Sequence, residues 1–280
     1  MKLEVHFGDN LGYLEKVPAE SVDLIYIDPP FNTGRRQIRT RFRTVDGERK
    51  DEPSWGYADS FDDFTGFLEP RLCEARRVLK PDGSLFLHID CRESHYCKVM
   101  LDRIFGRESF KNEIVWAYDY GARSKKRWSA KHDNIFWYAK NPKRYTYNYE
   151  AIDRIPYMAP KLAGPEKTAR GKTPTDVWWH TIVSPNGLEK TGYATQKPRS
   201  IIDRIVKVHS NPGDRLLDFF AGSGTFGESA HLLGRECALV DCNPEAIEVM
   251  KRRFARFKNV EWHCATAAAG AAKPARERRK

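Results

Sequence analysis

The chain has 280 residues, 40% of them apolar, which is room for one large α/β domain with an insertion or for two modest domains. It contains no apolar run of about 18 residues and no leader pattern, and its six cysteines follow no disulfide-like spacing, so a soluble, non-exported chain in a reducing cytoplasm is expected. The formal net charge of +10 favours a polyanionic partner.

In chain order, residues 3–7 alternate as a strand does and end at Gly8-Asp9-Asn10, with a carboxylate at the strand terminus. A short helix is expected over 11–17 and a buried strand over 21–27. Residues 35–50 hold Arg35, Arg36, Arg39, Arg41, Arg43, Arg49 and Lys50 against Asp46 and Glu48, which reads as a mobile surface loop. Helical spacing runs through 61–79. Residues 80–83 (K-P-D-G) read as a turn, 84–89 as a strand, and 94–105 as a helix ended by Gly106. Two aromatic strands, 113–118 and 134–139, flank a basic connection over 121–131 that carries Arg123, Lys125, Lys126, Arg127 and Trp128. Residues 140–190 are irregular and aromatic, an insertion without a sizeable core of its own. A helix (201–209), a strand (215–219), a helix (227–233), a strand (236–240) and a helix (244–257) follow. Residues 265–280 form an alanine-rich basic tail expected to be disordered.

Two stretches carry chemistry. In V-D-L-I-Y-I-D-P-P-F-N-T-G (22–34), Pro29 and Pro30 stop the strand at Asp28. A carboxylate, a stiff backbone and the Phe31 ring then stand at the carboxyl end of a strand, where open α/β sheets bind ligands. Asp28 and the Pro29 carbonyl are two acceptors aimed at one point beside a stacking face, which suits the exocyclic amino group of a nucleobase. The bland alternative is a proline turn with Asp28 as its cap. In D-F-F-A-G-S-G-T (218–225), Gly222, Gly224 and Gly227 spell G-x-G-x-x-G, with Asp241 ending the next strand. Taken alone this is the weak dinucleotide fingerprint of a nicotinamide-dependent oxidoreductase. Asp218, however, would repel a pyrophosphate at that helix start.

D-P-P-F-N-T-G resembles the catalytic motif of the DNA amino-methyltransferases, and F-A-G-S-G-T (220–225) resembles their cofactor motif. The resemblance runs from about residue 3 to about residue 262. It implies methyl transfer from S-adenosyl-L-methionine to adenine N6 or cytosine N4 of a base flipped out of double-stranded DNA, with Asp28, Pro29, Pro30 and Phe31 catalytic. The cofactor's sulfonium and ammonium, and its lack of phosphate, suit Asp218. The implied cofactor contacts are Asp9, Asp28, Thr195, Gln196, Lys197, Asp218, Phe220, Ala221, Gly222, Ser223, Gly224, Thr225, Asp241 and Cys242. Thr195, Gln196 and Lys197 lie in Y-A-T-Q-K-P (193–198), which resembles the segment closing over the methionine end.

The catalytic motif precedes the cofactor motif, an order that resembles the β group. The fold this implies is α/β, a Rossmann-like seven-stranded methyltransferase sheet, mostly parallel with one antiparallel strand. Its catalytic part would be 1–139, with the basic loop in 35–60. A small target-recognition insert would occupy 140–190, and the cofactor part 191–264. DNA contacts are expected from Arg35, Arg36, Arg39, Arg41, Arg43, Arg123, Lys125, Lys126 and Arg127. The family also admits a homodimer and a cognate restriction enzyme as partners. Asp at the first motif position is associated in the family with adenine, so adenine N6 is the expected target and cytosine N4 the alternative. An NAD-dependent oxidoreductase is the alternative from a different class. His88, Cys91, His95 and Cys97 do not match a common zinc spacing, and no metal is expected.

Overall fold

The computed structural model describes residues 1–38, 42–45, 48–51, 56–184 and 187–264. The elements in order are β1 (Leu3–Phe7), α1 (Asn10–Leu14), β2 (Val22–Ile27), β3 (Arg35–Ile38), β4 (Phe42–Val45), β5 (Glu48–Asp51), β6 (Gly56–Asp59), α2 (Phe64–Val78), β7 (Leu79–Asp90), α3 (Ser94–Phe105), β8 (Phe110–Ala117) and β9 (His132–Ala139). They continue with α4 (Pro160–Ala163), α5 (Pro165–Arg170), β10 (Val177–Trp179), α6 (Arg199–His209), β11 (Arg215–Asp218), α7 (Thr225–Leu232), β12 (Glu236–Asp241), α8 (Pro244–Phe254) and β13 (Val260–Cys264).

The main sheet runs β10-β8-β9-β7-β2-β11-β12-β1-β13. Every neighbouring pair is parallel except the two made by β9, which is the single reversed strand. The expected mostly parallel sheet with one antiparallel strand is present, but it has nine strands among the described residues rather than seven. The outermost two, β10 and β13, are short.

Alternation along the central strands feeds two cores. Leu24 and Tyr26 of β2 face one cluster with α6, α7 and α8, whereas Ile25 and Ile27 face the other with α1, α2 and α3. Both faces are therefore apolar, as a parallel sheet covered on two sides requires. After β2 the chain crosses through α2 to β7 on one side, and after β11 through α7 to β12 on the other. The strand order thus reverses between β2 and β11, and a ligand crevice belongs at their carboxyl ends.

Four local expectations change. Residues 80–83 are not a turn but part of β7. A Cβ on Gly83 would sit 2.9 Å from the Asp23 carbonyl, so glycine there permits the close approach of β2. The segment read as a loop over 35–50 contributes β3, paired with β6, and the β4–β5 ribbon. Helix α1 is shorter than 11–17 and α7 begins two residues before Gly227. Within 140–190, β10 pairs with β8 and its Trp178 is buried in the main core. The tail at 265–280 lies outside the described residues, as do Arg39 and Arg41. Among the described residues no helix is long and apolar enough to cross a membrane.

Candidate active site

A cavity of about 310 Å³ opens at the switch point, lined from both strand ends by Asp28, Pro30, Asp218 and Asp241. Its size falls within the range of cofactor and ligand clefts, roughly 300–1,000 Å³. Pairing of Leu216 with Leu24 and of Leu217 with Ile25 sets Asp218 level with Tyr26, one turn of chain from Asp28. Two carboxylates from sequence positions far apart are thereby brought to one place.

The tail of the D-P-P-F-N-T-G motif is fixed by Asp59, which is buried at the end of β6. Its carboxylate accepts from the Asn32 N–H at 2.8 Å and the Thr33 hydroxyl at 2.6 Å, and its carbonyl accepts from the Gly34 N–H at 2.8 Å. Asn32 sits in the left-handed region (φ 53°), a conformation asparagine tolerates better than most residues. Its side chain bridges Glu93 and the Phe61 N–H. The motif's last three residues therefore anchor the loop, which leaves Asp28 to face the cavity.

Asp28 is half paired. Its Oδ2 accepts from the Lys197 ammonium at 2.5 Å, and its Oδ1 is buried with no hydrogen-bond partner among the described residues. A buried acceptor without a donor is costly in a folded protein, so this atom is aimed at something that donates. Lys197 also stands 4.7 Å from the Phe31 ring centroid. Phe31 and Pro29 lie outside the cavity lining.

Asp218 is buried and accepts from the Phe220 N–H at 2.9 Å. Burial pushes its carboxyl well above the ordinary value, and the neighbouring Asp28 and Asp241 add to the push. Asp241 accepts from the Gly222 and Asn243 N–H groups, each at 2.7 Å, yet burial still raises its carboxyl to about 6. Four carboxyl groups (Asp9, Asp28, Asp218 and Asp241) against two cations (Arg71 and Lys197) line the cavity, a balance that favours a cationic guest. This acidity, with the unpaired Asp28 oxygen, fits S-adenosyl-L-methionine and disfavours a pyrophosphate.

The remaining expected cofactor residues divide. Asp9, Thr195, Phe220, Ala221, Ser223, Thr225 and Cys242 line the cavity together with Gly222 and Lys197. Asp9 also caps α1 through the Gly12 N–H and meets Arg71 at 3.2 Å. Gln196 and Gly224 do not line it. The Gln196 amide is spent on Thr191 and the Glu189 carbonyl, tying the loop before α6. Gly224 is a left-handed residue at the start of α7 (φ 74°), where a Cβ would sit 2.7 Å from Met250 and Phe254. Gly227 likewise lets α7 approach Leu239 of β12. Two of the three glycines in the fingerprint thus serve packing.

Sequence reading did not single out Asn10, Arg71, Phe67 or Tyr26 as lining residues. Arg71 donates to Asn10 Oδ1 at 2.6 Å and stacks 4.0 Å from the Phe67 ring centroid, and Asn10 donates to the Phe219 carbonyl at 2.7 Å. These contacts span α1, α2 and the end of β11, so no local pattern announces them. Beneath the cavity, the Tyr26 hydroxyl meets His88 Nδ1 at 2.7 Å, and His88 Nε2 meets Asp133 at 3.1 Å. Both ring nitrogens of His88 are therefore engaged by the protein.

Of the residues expected on DNA, Arg123, Lys125, Lys126 and Arg127 are exposed on the β8–β9 connection. Arg35 and Arg36 lie on β3 and Arg43 on β4.

The profile of a DNA methylase family matches residues 22–252. A DNA adenine methyltransferase of Escherichia coli (strain K12), YhdJ, is 33% identical over 255 residues, covering 88% of this chain and 81% of the relative. The type II methyltransferase M.HpaI of Haemophilus parainfluenzae is 31% identical over 241 residues, covering 86% of this chain and 70% of the relative. Among solved structures, the cytosine-N4-specific PvuII DNA methyltransferase superposes with a TM-score of 0.66 at 17% identity, covering 91% of this chain and 86% of that one. M1.HpyAVI, solved as a complex with SAM, superposes with a TM-score of 0.59 at 20% identity, over 90% and 98% of the two chains. With most of its length matched by the family profile and two relatives above 30% identity, the chain belongs to the N6- and N4-methylating DNA methylases, with the β-group order of motifs.

Proposed function

We propose that this chain binds S-adenosyl-L-methionine in the cavity at the switch point and methylates N6 of adenine flipped out of double-stranded DNA. The observation that carries the reading is the half-paired Asp28, whose Oδ2 is held by Lys197 while its buried Oδ1 has no partner among the described residues. The cofactor, when bound, supplies an electrophilic sulfonium methyl. The protein supplies the rest. Asp28 Oδ1 and the Pro29 carbonyl accept the two amino N–H groups of the base. That pairing favours a pyramidal nitrogen, whose lone pair is withdrawn from the ring and available for in-line attack. Lys197 occupies Asp28 Oδ2 and so fixes which oxygen faces the base. Asp218 and Asp241 hold the cofactor, through its cationic end and its ribose hydroxyls respectively. No cysteine nucleophile is needed.

Adenine is chosen over cytosine because an aspartate, Asp28, opens the motif, and the Escherichia coli relative is named as an adenine methyltransferase. The insertion at 140–190 and the basic β8–β9 connection contribute to target recognition and phosphate contact. Methylation-sensitive sequencing of a host expressing the protein should show N6-methyladenine at one short sequence. An unmodified host genome would overturn the reading.

The raised carboxyls give a pH signature. In the empty protein Asp241 holds its proton up to about pH 6. A guest that requires the carboxylate must displace that proton, so affinity should fall as pH drops through this value and binding should release protons near it. Calorimetry of S-adenosyl-L-methionine in buffers of differing ionisation enthalpy measures both. Asp241→Ala should remove the proton release near pH 6 while any part due to Asp218 remains, and both it and Asp218→Ala should weaken binding roughly ten- to hundred-fold. Unchanged affinity in both variants would remove the cofactor assignment.

A further inference from the structure

Trp128 leaves 99% of its surface exposed. The largest apolar side chain is ordinarily a burial anchor, and its full exposure here leaves both faces of the indole open to a guest. Arg123, Lys125, Lys126 and Arg127, all exposed, precede it on the same connection. The turn that presents it is closed on itself. The Ser124 N–H donates to Ser129 Oγ at 2.7 Å and the Lys126 N–H to Ser124 Oγ at 3.2 Å. At its base Lys131 donates to the Tyr120 carbonyl and Arg123 pairs with Asp119.

The connection also leaves the sheet at the right edge. Ala117 pairs with His132 where β8 ends, and Asp90 pairs with Asp133 where β7 ends. That is the carboxyl edge at which Asp28 follows β2.

We propose that Trp128 enters the base stack of the DNA and fills the gap left by the flipped target base, with the neighbouring cations on the flanking phosphates. The proposal rests on the base-flipping reading above. An extruded base leaves its neighbours unstacked, and an indole stacks on any base without regard to sequence. Apolar wedges between base steps are a recurrent device of proteins that deform DNA. Four exposed cations on the same connection as the ring also argue for a phosphate backbone over a second copy of the chain, since protein interface cores are depleted in charge, lysine included.

The test compares two duplexes carrying the sequence mapped in host DNA. One is fully paired, and the other has an abasic position opposite the target base, so that the base leaves the helix freely. Trp128→Ala should lose roughly tenfold or more in kcat/KM on the paired duplex, and should stay within about twofold of the unaltered protein on the abasic one, where little pairing opposes extrusion. Trp128→Phe should fall between. An equal loss on both duplexes, or none on the paired duplex, overturns the proposal while the methyltransferase reading stands. Failure of the unaltered protein to methylate either duplex overturns both.

Discussion

Asp28→Ala should lower methyl transfer by about 10²- to 10³-fold or more, while cofactor binding and the fold persist. The variant removes a cavity acceptor whose buried Oδ1 has no partner among the described residues, and the only side-chain hydrogen bond it takes with it is the one from Lys197. Cofactor affinity should hold because Asp218 and Asp241 remain. Loss of the carboxylate should therefore appear in kcat, not in the cofactor's dissociation constant. Steady-state kinetics beside calorimetry separate the two. A variant that methylates at a near-normal rate would show that the Asp28 carboxylate is not the acceptor for the amino group.

The second large effect is expected at Lys197. Its ammonium is the direct counter-ion of Asp28, 2.5 Å from Oδ2. Lys197→Met removes the charge-assisted hydrogen bond that fixes which Asp28 oxygen faces the cavity. Loss of such a bond costs about 1.5–3 kcal/mol, so kcat should fall roughly ten- to hundred-fold. Binding of the cationic cofactor should not weaken, because a positive charge has been taken from a cavity built for one. Lys197→Arg should restore most of the rate. A Lys197→Met protein with an unchanged kcat would reduce the lysine to a packing role.

The sheet was legible where strands are short, apolar and buried on both faces, as in β2, β11 and β12. Their alternation assigns side chains to two cores without needing any partner to be known. The edges were not legible. The three residues of β10 sit inside an irregular aromatic stretch, and only pairing with β8 makes them a strand. K-P-D-G over 80–83 has the composition of a turn, but its glycine answers to the backbone of β2. Within the site, each strand-end carboxylate could be read from the residues around it. The Lys197–Asp28 pair, separated by 169 positions, could not. Gln196 and Gly224 fall in the right motifs yet serve the loop and the helix, because the spacing of a motif answers to its scaffold as well as to its ligand.

The central claim is that a methyl group passes from S-adenosyl-L-methionine to an exocyclic amino group in DNA. Incubating the protein with unmethylated duplex DNA and the methyl-labelled cofactor, digesting to nucleosides and separating them by mass spectrometry tests it most directly. The account predicts label in N6-methyldeoxyadenosine, dependent on Asp28. Label in N4-methyldeoxycytidine alone would contradict the choice of base. Label in 5-methyldeoxycytidine, or DNA no more labelled than with Asp28→Ala, would contradict the account itself.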